Sequence, residues 1–154
     1  MHRTLCHQPQ QRGIATVEFA ICVPVLLLLM LATAELGRAM FQYNTLIKAV
    51  RDGARYAASA ATSSQRIVVI TTQVRNETRN LVVTGNVGGT GAPLLTGLTV
   101  NNVTLNNVGN GFISVSATYT YTPILAATLP TFGYGPAINL SMTFPATVVM
   151  RVLA

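Results

Sequence analysis

Little in this sequence can do chemistry. Only 9% of its 154 residues are charged, against about a quarter in an ordinary soluble domain. Histidine is confined to His2 and His7, within the first thirteen residues, and the acids are Glu18, Glu35, Asp52 and Glu77. No nucleophile–base pair and no metal-ligand cluster can be assembled from that set. Gly88-Gly89-Thr90-Gly91 lacks the lysine and following helix of a phosphate loop. The expectation is a protein without enzymatic activity, cofactor, metal or small-molecule substrate. The cysteines are Cys6, near the start, and Cys22, inside an apolar run. The distal half therefore holds no disulfide, and relies on core burial, on assembly, or on both. Acids are also too few to balance the cations. The net charge is +6, falling to +4 without Arg3 and Arg12. No basic-aromatic or helix-turn-helix pattern accompanies that charge, which argues against nucleic acid. Arg38, Lys48, Arg51 and Arg55 instead follow the apolar run, where phosphate headgroups are the natural neighbours.

What is abundant is apolar length. Ile14 to Ala34 is 21 residues with Glu18 as the only charge, and a membrane-spanning helix needs about 20. Pro24 lies inside the run, which membrane helices tolerate, commonly as a kink. Leu36, Met40, Tyr43, Ile47, Val50, Ala54 and Ala57 then recur at intervals of three and four, with Gln42, Asn44 and Lys48 largely elsewhere. No proline interrupts Glu35 to Ala61. The pattern predicts one helix from Ile14 to about Ala61, roughly 70 Å long and more than twice the hydrocarbon thickness. Its outer half must lie along the membrane, its own domain or neighbouring subunits.

Thr62, Ser63 and Ser64 suggest a break and N-cap. Ile67, Ile70, Val74 and Leu81 then predict a second amphipathic helix, with Arg66, Arg75, Glu77 and Arg79 mostly outward. Gly85 to Gly97 reads as loop. Beyond it the period becomes two. Ile113, Val115, Ala117, Tyr119 and Tyr121 alternate with Ser and Thr, and Ile138, Leu140, Met142 and Phe144 alternate likewise. Val148, Met150 and Val152 suggest a terminal strand after Pro145, and Leu98 to Leu105 a weaker one. Gly109-Asn110-Gly111 supplies hairpin chemistry. The fold class expected is α+β: a long N-terminal transmembrane helix extending into a small domain with a second helix and three or four antiparallel strands packed on it. Tyr119, Tyr121, Phe132, Tyr134 and Phe144 suit a core better than a binding patch. Tyr134, in a loop, is the best of them for an exposed contact.

Three readings compete for the first forty residues. Ala32-Thr33-Ala34 resembles a signal-peptidase site, but the apolar run is too long and cleavage would cut a continuing helix. A plain signal anchor fits the basic, acid-free leader with its N-terminus inside. The third reading accounts for Glu18. Arg12-Gly13-Ile14-Ala15-Thr16-Val17-Glu18-Phe19, followed by a long apolar helix, resembles the processing site of type IV pilin-like proteins. That resemblance implies cleavage after Gly13 by a prepilin peptidase, with Ile14 as the new N-terminus and Glu18 as fifth residue. A carboxylate in hydrocarbon costs several kcal/mol unless paired, and a neighbouring subunit's freed amine could pair it. The helix N-terminus adds a few tenths to about 1 kcal/mol in favour of an anion.

Further motifs narrow the likeness. Val17-Glu18-Phe19-Ala20, Pro24 with Leu26 to Leu29, Glu35-Leu36-Gly37-Arg38, and Arg51-Asp52-Gly53-Ala54-Arg55-Tyr56-Ala57-Ala58 resemble the TadE-like family, minor pilin-like proteins of the tight-adherence (Tad, or Flp) pilus machinery. The likeness is dense over about residues 12–60. It implies partners in a prepilin peptidase, other pilin-like subunits, inner-membrane pilus machinery and lipid, and a distal domain in the periplasm. The organisation expected is a cleaved leader (1–13), a transmembrane helix (14–34), its extension (35–61) and a distal domain (62–154). The alternative is an extracytoplasmic binding module, released after Ala34 or held by an uncleaved anchor. Within the motifs, Glu35 and Arg38 are spaced to meet on one helix face, as a surface pair or as a contact between subunits. Gly37 and Gly53 each cost the helix about 1 kcal/mol against Ala, which close approach of another element would justify. Arg51 and Arg55 share a face with Asp52 beside them, open to headgroups or to an acidic partner.

Overall fold

The computed structural model describes residues 12–61, 68–124, 128–129 and 135–152. One helix dominates: α1 runs from Arg12 to Ala60 without a break and contains Pro24. At 1.5 Å per residue its 49 residues extend about 74 Å. No residue of the 18-residue apolar window that qualifies α1 as a membrane span is buried in the protein. The outer half is the spine of a domain.

Packing on that spine follows residue size. Ala39, Ala49, Gly53, Ala54, Ala57, Ala58 and Ala61 form a buried small-residue stripe, with Leu46 and Val50 as its large members. Small side chains let a sheet approach the helix backbone closely. The sheet has the order β1 (Val103–Gly109), β2 (Phe112–Tyr121), β5 (Met142–Arg151), antiparallel throughout. Strict alternation on β2 turns Ile113, Val115, Ala117, Tyr119 and Tyr121 onto α1 and leaves the opposite Ser/Thr face to solvent. The β1–β2 hairpin closes through Asn110 and Gly111, both at positive φ, the pairing that a two-residue type I′ turn demands. A two-residue pair, β3 (Thr128–Leu129) with β4 (Ile138–Asn139), stands apart.

Helix α2 (Thr72–Thr84) starts at Thr71, whose side chain accepts from the Val74 N–H, and stops at Gly85 in the left-handed region. Its cap is thus Thr71, some seven residues beyond the expected break, and Thr62, Ser63, Ser64, Arg66 and Ile67 lie outside the described residues. Val74, Thr78, Val82 and Val83 form its buried face. Thr78 is satisfied internally by donating to the Val74 carbonyl at 2.7 Å. Arg75 and Arg79 do not point to solvent as their spacing suggested. Each lays its guanidinium on the sheet, Arg75 Nη1 on the Leu105 carbonyl (2.9 Å) and Arg79 Nε on the Val103 carbonyl (3.0 Å). Those oxygens belong to β1, an edge strand, so the long apolar stems pack while the charged heads satisfy backbone acceptors.

Three other expectations shift. The strand after Ile138 is interrupted at Leu140 and Ser141, and β5 then runs unbroken through Pro145. An edge strand can hold a proline because one side of its ladder is free. The segment from Leu98 contains a 3-10 turn, Val100–Asn102, before β1 begins. The apolar face of α1 is also rotated: Leu36, Met40 and Tyr43 are exposed, while Glu35, Ala39 and Leu46 face the sheet.

Candidate functional site

Three clusters along α1 hold the residues that the sequence singled out. The first is the inner end. Gly13 and Ile14 lie one turn before Glu18 on an exposed stretch of the helix, and a Cβ on Gly13 would touch nothing within 4 Å. Pro24 is likewise exposed within the helix. Among the described residues no other element packs on this surface. The free Cys22 is exposed in the same region.

The second cluster sits where the domain begins, about 25 Å further along the helix. Glu35 and Tyr121 are separated by 86 residues in sequence and joined in space. The Tyr121 hydroxyl donates to Glu35 Oε1, and the Ile124 N–H donates to the same oxygen at 2.9 Å. Glu35 is 8% exposed, the one buried acid among the described residues. Charge is buried only where it is paired or hydrogen-bonded, and here one donor comes from the end of the central strand and the other from the segment just after it. Two turns outward, the Tyr119 hydroxyl donates to Gln42 Oε1 at 3.0 Å. Burial pushes the Tyr121 phenol up to about 12, with help from the Glu35 hydrogen bond and charge, while the Arg38 cation pulls the other way. Tyr119 is raised too, first by burial.

Arg38 does not pair with Glu35, because the tyrosine takes the carboxylate instead. Among the described residues the chain forms no ion pair, and buried Nη1 of half-buried Arg38 has no hydrogen-bond partner. Gly37 lies on the outward face with open space around it. Phe144 seals the junction, 5.5 Å edge-on to Tyr43 and 6.0 Å from Tyr121 between ring centres.

The third cluster is the 51–55 motif. Arg51, Asp52 and Arg55 are exposed, and Gly53 is buried. A Cβ at Gly53 would meet Val82 Cγ2 at 2.5 Å, so this glycine is where α2 crosses α1. The two motif glycines thus differ: Gly53 serves the domain's own packing and Gly37 touches nothing in the chain. Beside them, Tyr56 donates to Glu77, which also accepts from Gln73 Nε2 at 2.9 Å. That hydrogen bond raises the tyrosine and lowers the exposed carboxylate.

The sequence motifs located the helix and its clusters and missed the partners. Tyr121, Tyr119, Gln42 and Glu77 join the motif residues from other elements or other faces. Tyr119 and Tyr121 are core, as their strand spacing suggested; Phe132 and Tyr134 lie outside the described residues. No group of histidine, cysteine, aspartate or glutamate among the described residues could hold a metal.

Comparison with known families agrees with the motif resemblance. The TadE-like protein family model matches residues 13–55, the inner half of α1 together with the spine up to Arg55. The match makes that segment similar to TadE-like proteins and does not extend to the distal domain. Among the described residues one helix is long and apolar enough to cross a membrane, which suggests a single-pass anchor. No curated protein and no solved structure matches it.

Proposed function

We propose that this chain is a minor pilin-like (pseudopilin) subunit that acts in assembly of a Tad/Flp-type adhesive pilus, by helix packing and protein–protein contact and without chemistry of its own. The observation that carries the reading is the pairing of a naked inner helix with a clothed outer one. Glu18, five residues beyond Gly13, stands exposed on an otherwise apolar surface, while the only other acid near the bilayer, Glu35, is taken in by the domain. A carboxylate left bare on such a surface has a use only when another molecule supplies its partner.

In this reading a prepilin peptidase cuts after Gly13 on the cytoplasmic face of the inner membrane. Ile14 becomes the N-terminus, its amine available to Glu18 of a neighbouring subunit, and the domain stands in the periplasm. Arg51, Asp52 and Arg55 are the exposed charged positions through which the domain meets partner subunits.

Intact mass of the protein from its native host tests the first step. A mature start at Ile14 supports the reading. A start at Glu35 would identify a cleaved secretory module, and an uncleaved chain a plain anchor. Glu18→Ala tests the second: processing, subunit recruitment and piliation all unchanged would remove the role assigned to that carboxylate.

A further inference from the structure

The outward surface of α1 changes character later than its composition suggests. Charge alone sets the apolar run at Ile14 to Ala34, since Glu35 and Arg38 follow. Neither faces outward. Glu35 is buried under Tyr121 and Ile124, and Arg38 is half-buried against the tyrosines. Two neighbouring polar side chains are satisfied: the Thr45 hydroxyl donates to the Phe41 carbonyl, and Gln42 accepts from Tyr119. What the helix shows outward is Leu36 (57% exposed), Met40 (59%) and Phe41 (70%), around the open Gly37. Tyr43 follows, then Asn44, and the first outward charge is Lys48. The domain's near end is apolar too. Ile124 is 68% exposed and Met142 40%. Tyr121, Leu140 and Met142 line one groove with Ala32, Glu35 and Leu36, so this end of the domain reaches down to a residue inside the apolar run.

We infer that lipid covers α1 from Phe19 to Phe41, and that Ile124 and Met142 at the domain's near end rest in the same lipid boundary. The occupant is lipid because the surface is continuous with the membrane-spanning face and no outward charge separates the two. The covered stretch is about 34 Å long, against roughly 30 Å of hydrocarbon. Tyr43 sits at the outer boundary, where amphipathic rings collect, with its ring edge-on to Phe144 of the domain. The midpoint of the span moves from Pro24 to Met30, about 9 Å along the helix. Glu18 then lies at the inner headgroup boundary of the lone chain. The inference rests on single-pass anchoring and is independent of the pilus.

Nitroxide labels test it. Single cysteines replace Ile21, Val25, Met30, Leu36, Met40, Lys48, Ile124 or Met142 in the full chain carrying Cys6→Ala and Cys22→Ala, reconstituted at low protein-to-lipid ratio in phosphatidylcholine–phosphatidylglycerol vesicles. Collisions with lipid-soluble oxygen are compared with those of a water-soluble nickel chelate. The expected depth profile peaks at Met30, still favours oxygen at Leu36, Met40, Ile124 and Met142, and favours nickel at Lys48. A peak near Val25 with Leu36 and Met40 open to nickel overturns the inference but leaves the anchor intact. Protection of Leu36 and Met40 from both reagents assigns the face to a second protein chain and overturns it as well. Nickel access along the whole helix would refute the anchoring on which it rests.

Discussion

Two glycines on one helix should respond to the same substitution with opposite sign. Alanine is favoured over glycine in a helix interior by about 1 kcal/mol. At Gly37 nothing lies within 4 Å of the added methyl, so Gly37→Ala should keep that gain. At Gly53 the methyl would stand 2.5 Å from Val82 Cγ2 and 3.5 Å from Thr78 Cγ2. Val82 and Thr78 are both fully buried, and a β-branched side chain has no spare rotamer to retreat into. Overpacking of this kind costs typically 1–3 kcal/mol, which offsets the helix gain and leaves Gly53→Ala destabilised by up to about 2 kcal/mol. For a chain of this size each kcal/mol moves Tm by roughly 2–4 °C. The sequence has no tryptophan, so near-ultraviolet dichroism reports the tyrosines, of which Tyr119 and Tyr121 are buried against α1. Thermal scans in detergent should show Gly53→Ala melting lower than the parent and Gly37→Ala equal or higher. A Gly53→Ala protein that melts above the parent would refute the assignment of that glycine to the α1–α2 crossing.

Tyr121→Phe removes one of the two donors to a buried carboxylate, and should cost about 1–3 kcal/mol in urea unfolding; an unchanged midpoint would show that the phenol does not hold Glu35. Alkaline pH should act on the same residue. The folded phenol titrates at about 12 against an ordinary 10, so the folded state keeps its proton where the unfolded chain has lost it. The resulting stabilisation is complete below pH 10 and is lost as pH rises towards 12. Tyr56, also raised, adds to the loss in the same direction. The denaturation midpoint, followed from pH 9 to 12, should fall less steeply in Tyr121→Phe.

Periodicity made the long helix, the β2 strand and its hairpin legible, because each has a strong repeat and few competing patterns. It misjudged which side of α1 is covered, for a physical reason. The helix carries two apolar stripes, Leu36–Met40–Phe41 and Ala39–Leu46–Val50, and hydrophobicity cannot say which one meets protein and which meets something else. The only hint, Glu35, looked like solvent exposure because its partner lies 86 residues away. Arg75 and Arg79 misled in the same way. Arginine on a helix is usually turned to water, yet a strand edge offers carbonyls that attract it as well. The motif residues of the candidate site were readable from local spacing; their hydrogen-bond partners depend on the tertiary fold and were not.

The arginines of α2 also decide how this domain can be extended. A three-stranded sheet has two sides on which a further strand could be added. On the β1 side the acceptors at Val103 and Leu105 are already occupied by guanidinium groups. On the β5 side Pro145 withholds an amide in mid-strand. Stray edge-to-edge growth is thereby discouraged in both directions, by charge on one flank and by a missing donor on the other. Concentrated in the plane of a membrane, such chains are steered away from cross-β aggregation, and the route left for orderly association is helix against helix.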